Sequence, residues 1–487
     1  MKTVSLAVAG LAAIAALAFW AMPGAGAPPT PHLVTPQPLK LAPPPRNEAQ
    51  PSSMGQVQLT FAPVVKRIAP AVVNVYTRTV TQVQTNPFFN DPFFSQFFGN
   101  NPGMRQRVQQ SLGSGVIVRA DGLILTNNHV VDGGTDIVVA LNDKREFKAK
   151  VLTADPRTDL AVLKIDTKGE RLPTVPFGDS DAVQVGDLVL AVGDPFGVGQ
   201  TVTMGIVSAL ARTQGAANDY QFYIQTDAAI NPGNSGGALV TTDGKLAGIN
   251  TAIYSRSGGN IGIGFAIPAN LARRVVEGVE GGGGVRLSWI GATGQPVTSA
   301  IAESLGLGRP GGVLIKDIYP GGPLANAGVK SGDVVLAVDG AGVDDMQSLN
   351  YRIATHKPGD RVKVRIGAGK AVREVNVTLA LPPENPPREV TVIAGRNPLT
   401  GAKVENLSPA AALDLQTDLL AKGVVIVSIN PNSYSGNYGF QPGDIVRSVN
   451  GVGINRVGEL TRALNDANRW DLVVERGNRK LQLSVSG

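Results

Sequence analysis

The chain has no cysteine, which excludes disulfides, thiolate nucleophiles and cysteine-held metals by composition alone. Histidine is nearly as scarce: His32, His129 and His356 are the only three, little material for a multi-histidine metal site, and no metal is expected. Aromatic residues make up 5% of the chain. Lys and Arg are scattered without a basic block or interleaved aromatics, so the formal charge of +6 reads as a solvated surface and not as a nucleic-acid footprint. A lone Gly306-x-Gly308-x-x-Gly311 contains Pro310 and opens no helix, so no dinucleotide and no other cofactor is expected.

What is plentiful is glycine, with 59 residues, and proline, with 34, in a chain of 487 residues that is 43% hydrophobic. That length implies two to four domains. Turn-rich, globular composition favours all-β domains joined by linkers. Lys2 followed by an apolar run from Leu6 to Met22 and by Ala25-Gly26-Ala27 reads as an export signal over residues 1–27, either a cleaved signal peptide or a signal anchor that keeps the chain at the membrane. Residues 28–57 form a Pro-rich tether.

Short β-branched runs such as Ala71–Tyr76, Gly115–Val118, Ile137–Val139 and Leu160–Ile165 predict a sandwich or barrel over residues 58–280. A short helix from Ala269 closes it before the four-glycine joint at 281–284. Beyond that joint the chain repeats itself at an offset of 111. Gly312/Gly423, Ile315/Ile426, Pro320/Pro431, Gly328/Gly439, Gly332-Asp333/Gly443-Asp444 and Leu349/Leu460 coincide, the mark of one fold used twice. The two copies span residues 286–381 and 390–487, and Pro382-Pro383-Glu384-Asn385-Pro386-Pro387 is a stiff spacer between them.

The most informative segment is Gly233-Asn234-Ser235-Gly236-Gly237. Glycines on both sides of a serine permit a tight turn that presents Oγ and converges backbone N–H groups, the geometry an oxyanion site needs. Gly233-x-Ser235-x-Gly237 also fits the nucleophile elbow of α/β-hydrolases. That reading needs a downstream histidine and a following helix; the only later histidine is His356, inside the first repeat, and a Gly-rich turn follows. Of the upstream histidines, His32 lies in the tether, which leaves His129 as the base. Asp159, opening the apolar run Asp159–Leu163, is preferred as its orienting carboxylate, with Asp155 as the alternative on local grounds.

Thr126–Val131, Thr158–Leu163 and Gly233–Gly237 together resemble the three catalytic motifs of the HtrA/Deg serine proteases, and the resemblance runs over residues 58–487. It implies a mainly β protein: a chymotrypsin-like double β-barrel followed by two PDZ domains. It further implies nucleophile Ser235, general base His129, orienting Asp159 and an oxyanion site from the amides of Gly233, Asn234 and Ser235. By the same resemblance Gly193–Gly197 is an activation loop, Arg212 a regulatory sensor-loop arginine, and Trp289-Ile290-Gly291 a peptide-carboxylate loop with a weaker counterpart at Leu399-Thr400-Gly401. The run Pro87–Phe98, with six phenylalanines, takes the place of a loop used in assembly and gating. Ala229 stands where a trypsin-like enzyme carries its specificity aspartate, and Ile253 and Ile263 lie in the other pocket walls, so cleavage after small aliphatic residues is expected. The implied protein is a periplasmic, trimer-based homo-oligomer acting on unfolded protein or peptide substrates without ATP. The competing reading is a chaperone or scaffold in which proteolysis is secondary.

Overall fold

The computed structural model describes residues 60–486 apart from 82–106, 195–198, 213–219, 221, 232, 254–261, 281–284, 369–370, 466, 468 and 478. The export segment, the tether, the phenylalanine-rich run and part of the activation loop therefore lie outside the described residues, as do the side chains of Arg212 and Ile253. Among the described residues no helix is long and apolar enough to cross a membrane.

A short helix, α1 (Ala62–Ile68), leads into β1 (Val72–Thr81), β2 (Arg107–Arg119) and β3 (Leu123–Asn127). One helical turn, α2 (Asn128–Val131), separates these from β4 (Asp136–Ala140), β5 (Glu146–Asp155) and β6 (Leu160–Ile165). The six strands close a barrel in the order β1-β2-β3-β6-β5-β4. β4 alternates buried and half-buried residues, the period-2 signature of a barrel wall, whereas all five residues of β3 are buried.

A second barrel, ordered β10-β11-β12-β9-β8-β7, is made of β7 (Leu188–Gly193), β8 (Thr201–Arg212), β9 (Tyr223–Thr226), β10 (Ala238–Thr241), β11 (Leu246–Ile253) and β12 (Gly264–Pro268). The helix α3 (Ala269–Glu280) follows. It buries Leu271, Ala272, Val275 and Val276 in a core shared with the first barrel; fully burying side chains of the larger kind contributes about 1.5–3 kcal/mol each.

The first repeat runs β13 (Ala292–Pro296), α4 (Ser299–Ser304), β14 (Val313–Ile318), α5 (Pro323–Asn326), β15 (Val334–Val338), β16 (Ala341–Gly342), α6 (Met346–Ala354), β17 (Arg361–Ala368) and β18 (Ala371–Thr378). The second begins with an additional strand, β19 (Thr391–Val392), and then reproduces the succession: β20 (Ala402–Asn406), α7 (Pro409–Asp414), β21 (Val424–Ile429), α8 (Tyr434–Asn437), β22 (Ile445–Val449), β23 (Val452–Gly453), α9 (Val457–Asn465), β24 (Arg469–Arg476) and β25 (Arg479–Ser486). From β14/β21 to α6/α9 the offset is 111, but β13/β20 and α4/α7 are offset by 110. The difference is one extra residue between α7 and β21. For that reason the constant register fails ahead of Gly312.

Each repeat is also tied to the barrels. Tyr351 of α6 stacks on Phe222 at 4.0 Å, and the Arg352 guanidinium pairs with Asp181 at 2.8 Å. Asp414, at the end of α7, pairs with Arg157 of the β5–β6 turn at 2.8 Å.

Candidate functional site

The chain turns from β3 into α2 because Asp159 supplies the acceptors that the first amides of a helix lack. Its carbonyl accepts from the Asn128 N–H and from Asn127 Nδ2, both at 3.0 Å, and its Oδ1 accepts from the His129 N–H at 3.1 Å. Asp159 itself sits in the left-handed region, φ 54°, which aspartate tolerates better than most residues.

The same carboxylate reaches the ring, with His129 Nδ1 at 2.9 Å from Oδ2 and 3.0 Å from Oδ1. Nδ1 therefore carries the proton, and Nε2 is left as the accepting nitrogen. The Thr251 hydroxyl donates to Asp159 Oδ2 at 2.7 Å. Burial opposes charge on both groups, but pairing outweighs it. The Asp159 carboxylate, with a smaller contribution from Asp132, holds His129 above its ordinary value. In turn the imidazole and the Thr251 hydroxyl hold Asp159 below the usual carboxylate range. Asp155, the alternative, is committed to the Arg157 guanidinium at 2.9 Å and the Thr158 hydroxyl at 3.2 Å.

Ser235 arrives from the other barrel, on the turn before β10. Its Oγ donates to the carbonyl of Thr251 at 3.0 Å, so the residue that bonds Asp159 through its hydroxyl also receives the serine. Ser114 of β2 holds the turn in place. Its N–H donates to the Ser235 carbonyl at 2.7 Å, its Oγ donates to the Gly233 carbonyl at 2.6 Å, and that Oγ accepts from the Asp194 N–H at 2.8 Å. The approach is so close that a Cβ on Gly236, at φ 83°, would lie 2.1 Å from the Ser114 carbonyl oxygen; only glycine fits there.

The amides of Gly233 and Ser235 have no hydrogen-bond partner among the described residues. The Asn234 amide, expected to join them, instead donates to the Asn231 carbonyl at 3.0 Å, closing a tight turn. Of the three amides expected to receive an oxyanion, that of Asn234 is thus spent within its own turn.

Ala229 is half-buried and its carbonyl accepts from the Thr203 hydroxyl at 2.8 Å; Ile263 is half-buried as well. Asp227, the one nearby carboxylate in that segment, is exposed and caps the Ile206 N–H at 2.7 Å. Arg212 ends β8 with its backbone opposite Tyr223.

The motifs singled out in the sequence include none of Ser114, Tyr223 and Thr251. Ser114 had a signal, since Gly113-Ser114-Gly115 leaves room for a second backbone to approach. Burial, helped by the Asp159 charge, pushes the Tyr223 hydroxyl above its ordinary value.

In the first repeat the Trp289 N–H is spent on the Ala380 carbonyl, and the carbonyls of Ile290 and Gly291 accept from Leu324 and Tyr319. The amides of Ile290 and Gly291 have no partner among the described residues. β13 is the edge of its sheet. Gly294 of β13 packs beside Met346 at the start of α6, where a Cβ would lie 3.2 Å from the sulfur.

Residues 113–249 match the family model of the trypsin-like peptidase domain, and residues 284–379 match that of the PDZ domain. A relative from Chlamydia pneumoniae, named "Probable periplasmic serine endoprotease DegP-like", is 37% identical over 430 residues, covering 85% of this chain and 86% of its own length. One of the same name from Marinomonas sp. is 41% identical over 421 residues, covering 83% and 88%. Among solved structures, an HtrA-type protease AlgW with a tripeptide is 43% identical, with a TM-score of 0.51 over 66% of this chain and 98% of that one. Sequence, barrel pair and peptide-domain match agree: the chain belongs to the DegP-like family of HtrA-type serine endoproteases.

Proposed function

We propose that Ser235 is the nucleophile, His129 its general base and Asp159 the group that orients the imidazole, with the amides of Gly233 and Ser235 receiving the oxyanion. The observation that carries this reading is the Asp159–His129 contact with Ser235 bonded to the same Thr251 that bonds Asp159. In attack the Ser235 proton turns from the Thr251 carbonyl to His129 Nε2 as Oγ bonds to the scissile carbonyl carbon. The imidazolium then protonates the leaving amine, and water repeats the sequence to release the acyl group.

The substrates are unfolded exported proteins, cut without ATP in the periplasm by a trimer-based homo-oligomer. The protease unit spans residues 58–280, and both repeats, 286–381 and 390–487, are PDZ folds. Peptide carboxyl ends are captured at Trp289-Ile290-Gly291 by strand addition to the free edge of β13. Gly193–Gly197 and Arg212 serve activation, and membrane association, where present, runs through the N-terminal segment. Relatives named as periplasmic endoproteases and an HtrA-type structure with a bound tripeptide support this assignment.

Cleavage falls mainly after Val, Ala or Ile. Ala229 brings no charge to the pocket, and Asp227 is engaged elsewhere. A cationic side chain would be desolvated there without a partner, at a cost of roughly several kcal/mol. An aliphatic one gains about 1.5–3 kcal/mol. Mass-spectrometric mapping of cuts in a reduced, unfolded protein tests both the activity and the pocket. A majority of cuts after Lys or Arg refutes the apolar pocket, and an uncut substrate refutes the endoprotease reading.

Because Asp159 holds the His129 pKa up, the neutral base is lost as pH falls through a midpoint above the ordinary value of about 6.5. The profile of kcat/KM against pH, with chemistry rate-limiting, should rise through that midpoint. A profile flat from about pH 5 to 8 counts against His129 as base.

A further inference from the structure

The carboxylate loops of the two repeats are pinned by the same pair of hydrogen bonds, but one sheet edge differs. Leu324 N–H to Ile290 C=O in the first repeat is matched by Ser435 N–H to Thr400 C=O in the second, and Tyr319 N–H to Gly291 C=O by Asn430 N–H to Gly401 C=O. With the offset of 110 that relates β13 to β20, Trp289-Ile290-Gly291 corresponds to Leu399-Thr400-Gly401. The difference is β19. The edge that stays open on β13 is covered on β20 by the chain's own residues Thr391 and Val392, antiparallel, opposite Val404 and Lys403.

The covering segment makes the contacts an incoming peptide would make. It runs toward the carboxylate loop, where the Ile393 N–H donates to the Ala402 carbonyl at 2.8 Å. The Ile393 carbonyl accepts from the Gly401 N–H at 2.9 Å, the amide whose equivalent at Gly291 has no partner among the described residues. The Ile393 side chain is 2% exposed, within the cluster that holds Val404 and the α9 residues Val457, Leu460 and Leu464. At the other end the Asn406 N–H donates to the Arg388 carbonyl at 2.7 Å, and Asn406 Nδ2 donates to the Pro387 carbonyl at 2.8 Å and to Glu389 at 3.1 Å. Arg388 is anchored on Glu384, Glu405 and Asp414. Glu389 lies by Gly458 and Gly395 by Asn465, so the segment follows α9 from one end to the other.

We propose that residues 388–393 are an intramolecular ligand filling the peptide groove of the second repeat, with Ile393 in the place of a peptide's last residue and its carbonyl in the place of the terminal carboxylate. Peptide capture then belongs to the first repeat, and the second binds a free apolar carboxyl end only after its own strap leaves. The inference rests on the reading of both repeats as PDZ folds.

The absence of cysteine makes the test clean. Val392 and Lys403 face each other across the β19–β20 pair and both are exposed, so V392C and K403C introduce two thiols with only each other to meet. In the full chain, with Ser235→Ala to spare the probe, the number of bound decapeptides ending in a free Val carboxylate is titrated before oxidation, after it, and after reduction. The expected result is ready formation of the disulfide and one peptide per chain throughout. Failure of the thiols to pair overturns the proposal. So does a second peptide per chain bound with the disulfide closed, or loss on oxidation of the only peptide bound; a second peptide that binds the reduced chain alone is the strap displaced and supports the proposal. Thiols that pair in a chain that binds no peptide in any state support the strap and refute capture by the first repeat, which separates the two readings.

Discussion

Ser235→Ala is expected to lower turnover of an unfolded protein substrate by about 10⁶-fold, the scale on which a triad nucleophile acts. Among the described residues Ser235 Oγ makes one hydrogen bond, to the Thr251 carbonyl. Its loss costs the fold about 1 kcal/mol, so the melting temperature should move by a few degrees at most. The Ser114 contacts to the turn use backbone atoms of Ser235 and Gly233 and survive the substitution. Turnover measured beside thermal unfolding separates lost chemistry from lost structure. Cleavage at more than about a thousandth of the native rate, in a preparation free of other proteases, ends the assignment.

Asp159→Asn is expected to lower kcat by about 10⁴-fold with little change in KM. The carboxylate now accepts from His129 Nδ1, the His129 amide and the Thr251 hydroxyl at once. An amide of the same shape keeps an oxygen for some of these but can present an NH₂ to Nδ1. That fixes the proton on Nε2, the nitrogen that has to accept one. A fall of less than tenfold, with the fold intact, would show that tautomer control at Asp159 is not what makes His129 a base.

How legible these parts were depended on whether a residue's role is local. The Ser235 turn announces itself because the glycines it needs, Gly236 and Gly237, stand in the turn itself, although the backbones that crowd them belong to Ser114 and Val192. The His129 motif lies in a helical turn after β3 that nothing local announces, because it is started by Asp159 from 30 residues downstream. Thr251 and Ser114 were opaque for the opposite reason. Thr251 stands where the register of β11 against β12 shifts and Ser114 stands opposite Asn74 of β1, and both positions follow from strand pairings set elsewhere. The hydrogen bond that spends the Asn234 amide was opaque too, because nothing in Gly-Asn-Ser-Gly-Gly says that Asn231 will claim it. The repeats were legible through their turn glycines, but the strap was not. Thr391-Val392-Ile393 is too short a run to distinguish a strand from the end of a spacer, and the extra residue after α7 hid its alignment with the peptide loop.

The division of the constellation between two barrels also sets an order in time. A chain made from its amino end completes β1 to β6, and with them the His129–Asp159 pair, some 70 residues before Ser235 appears. Even then the serine has no seat until β11 has supplied Thr251. On the proposed roles the first barrel alone holds a base without a nucleophile, and a partly emerged second barrel holds a serine turn that Thr251 does not yet seat. With Ser235 as nucleophile and His129 as base, neither barrel can cut alone, and the set is complete only when both have closed on Ser114.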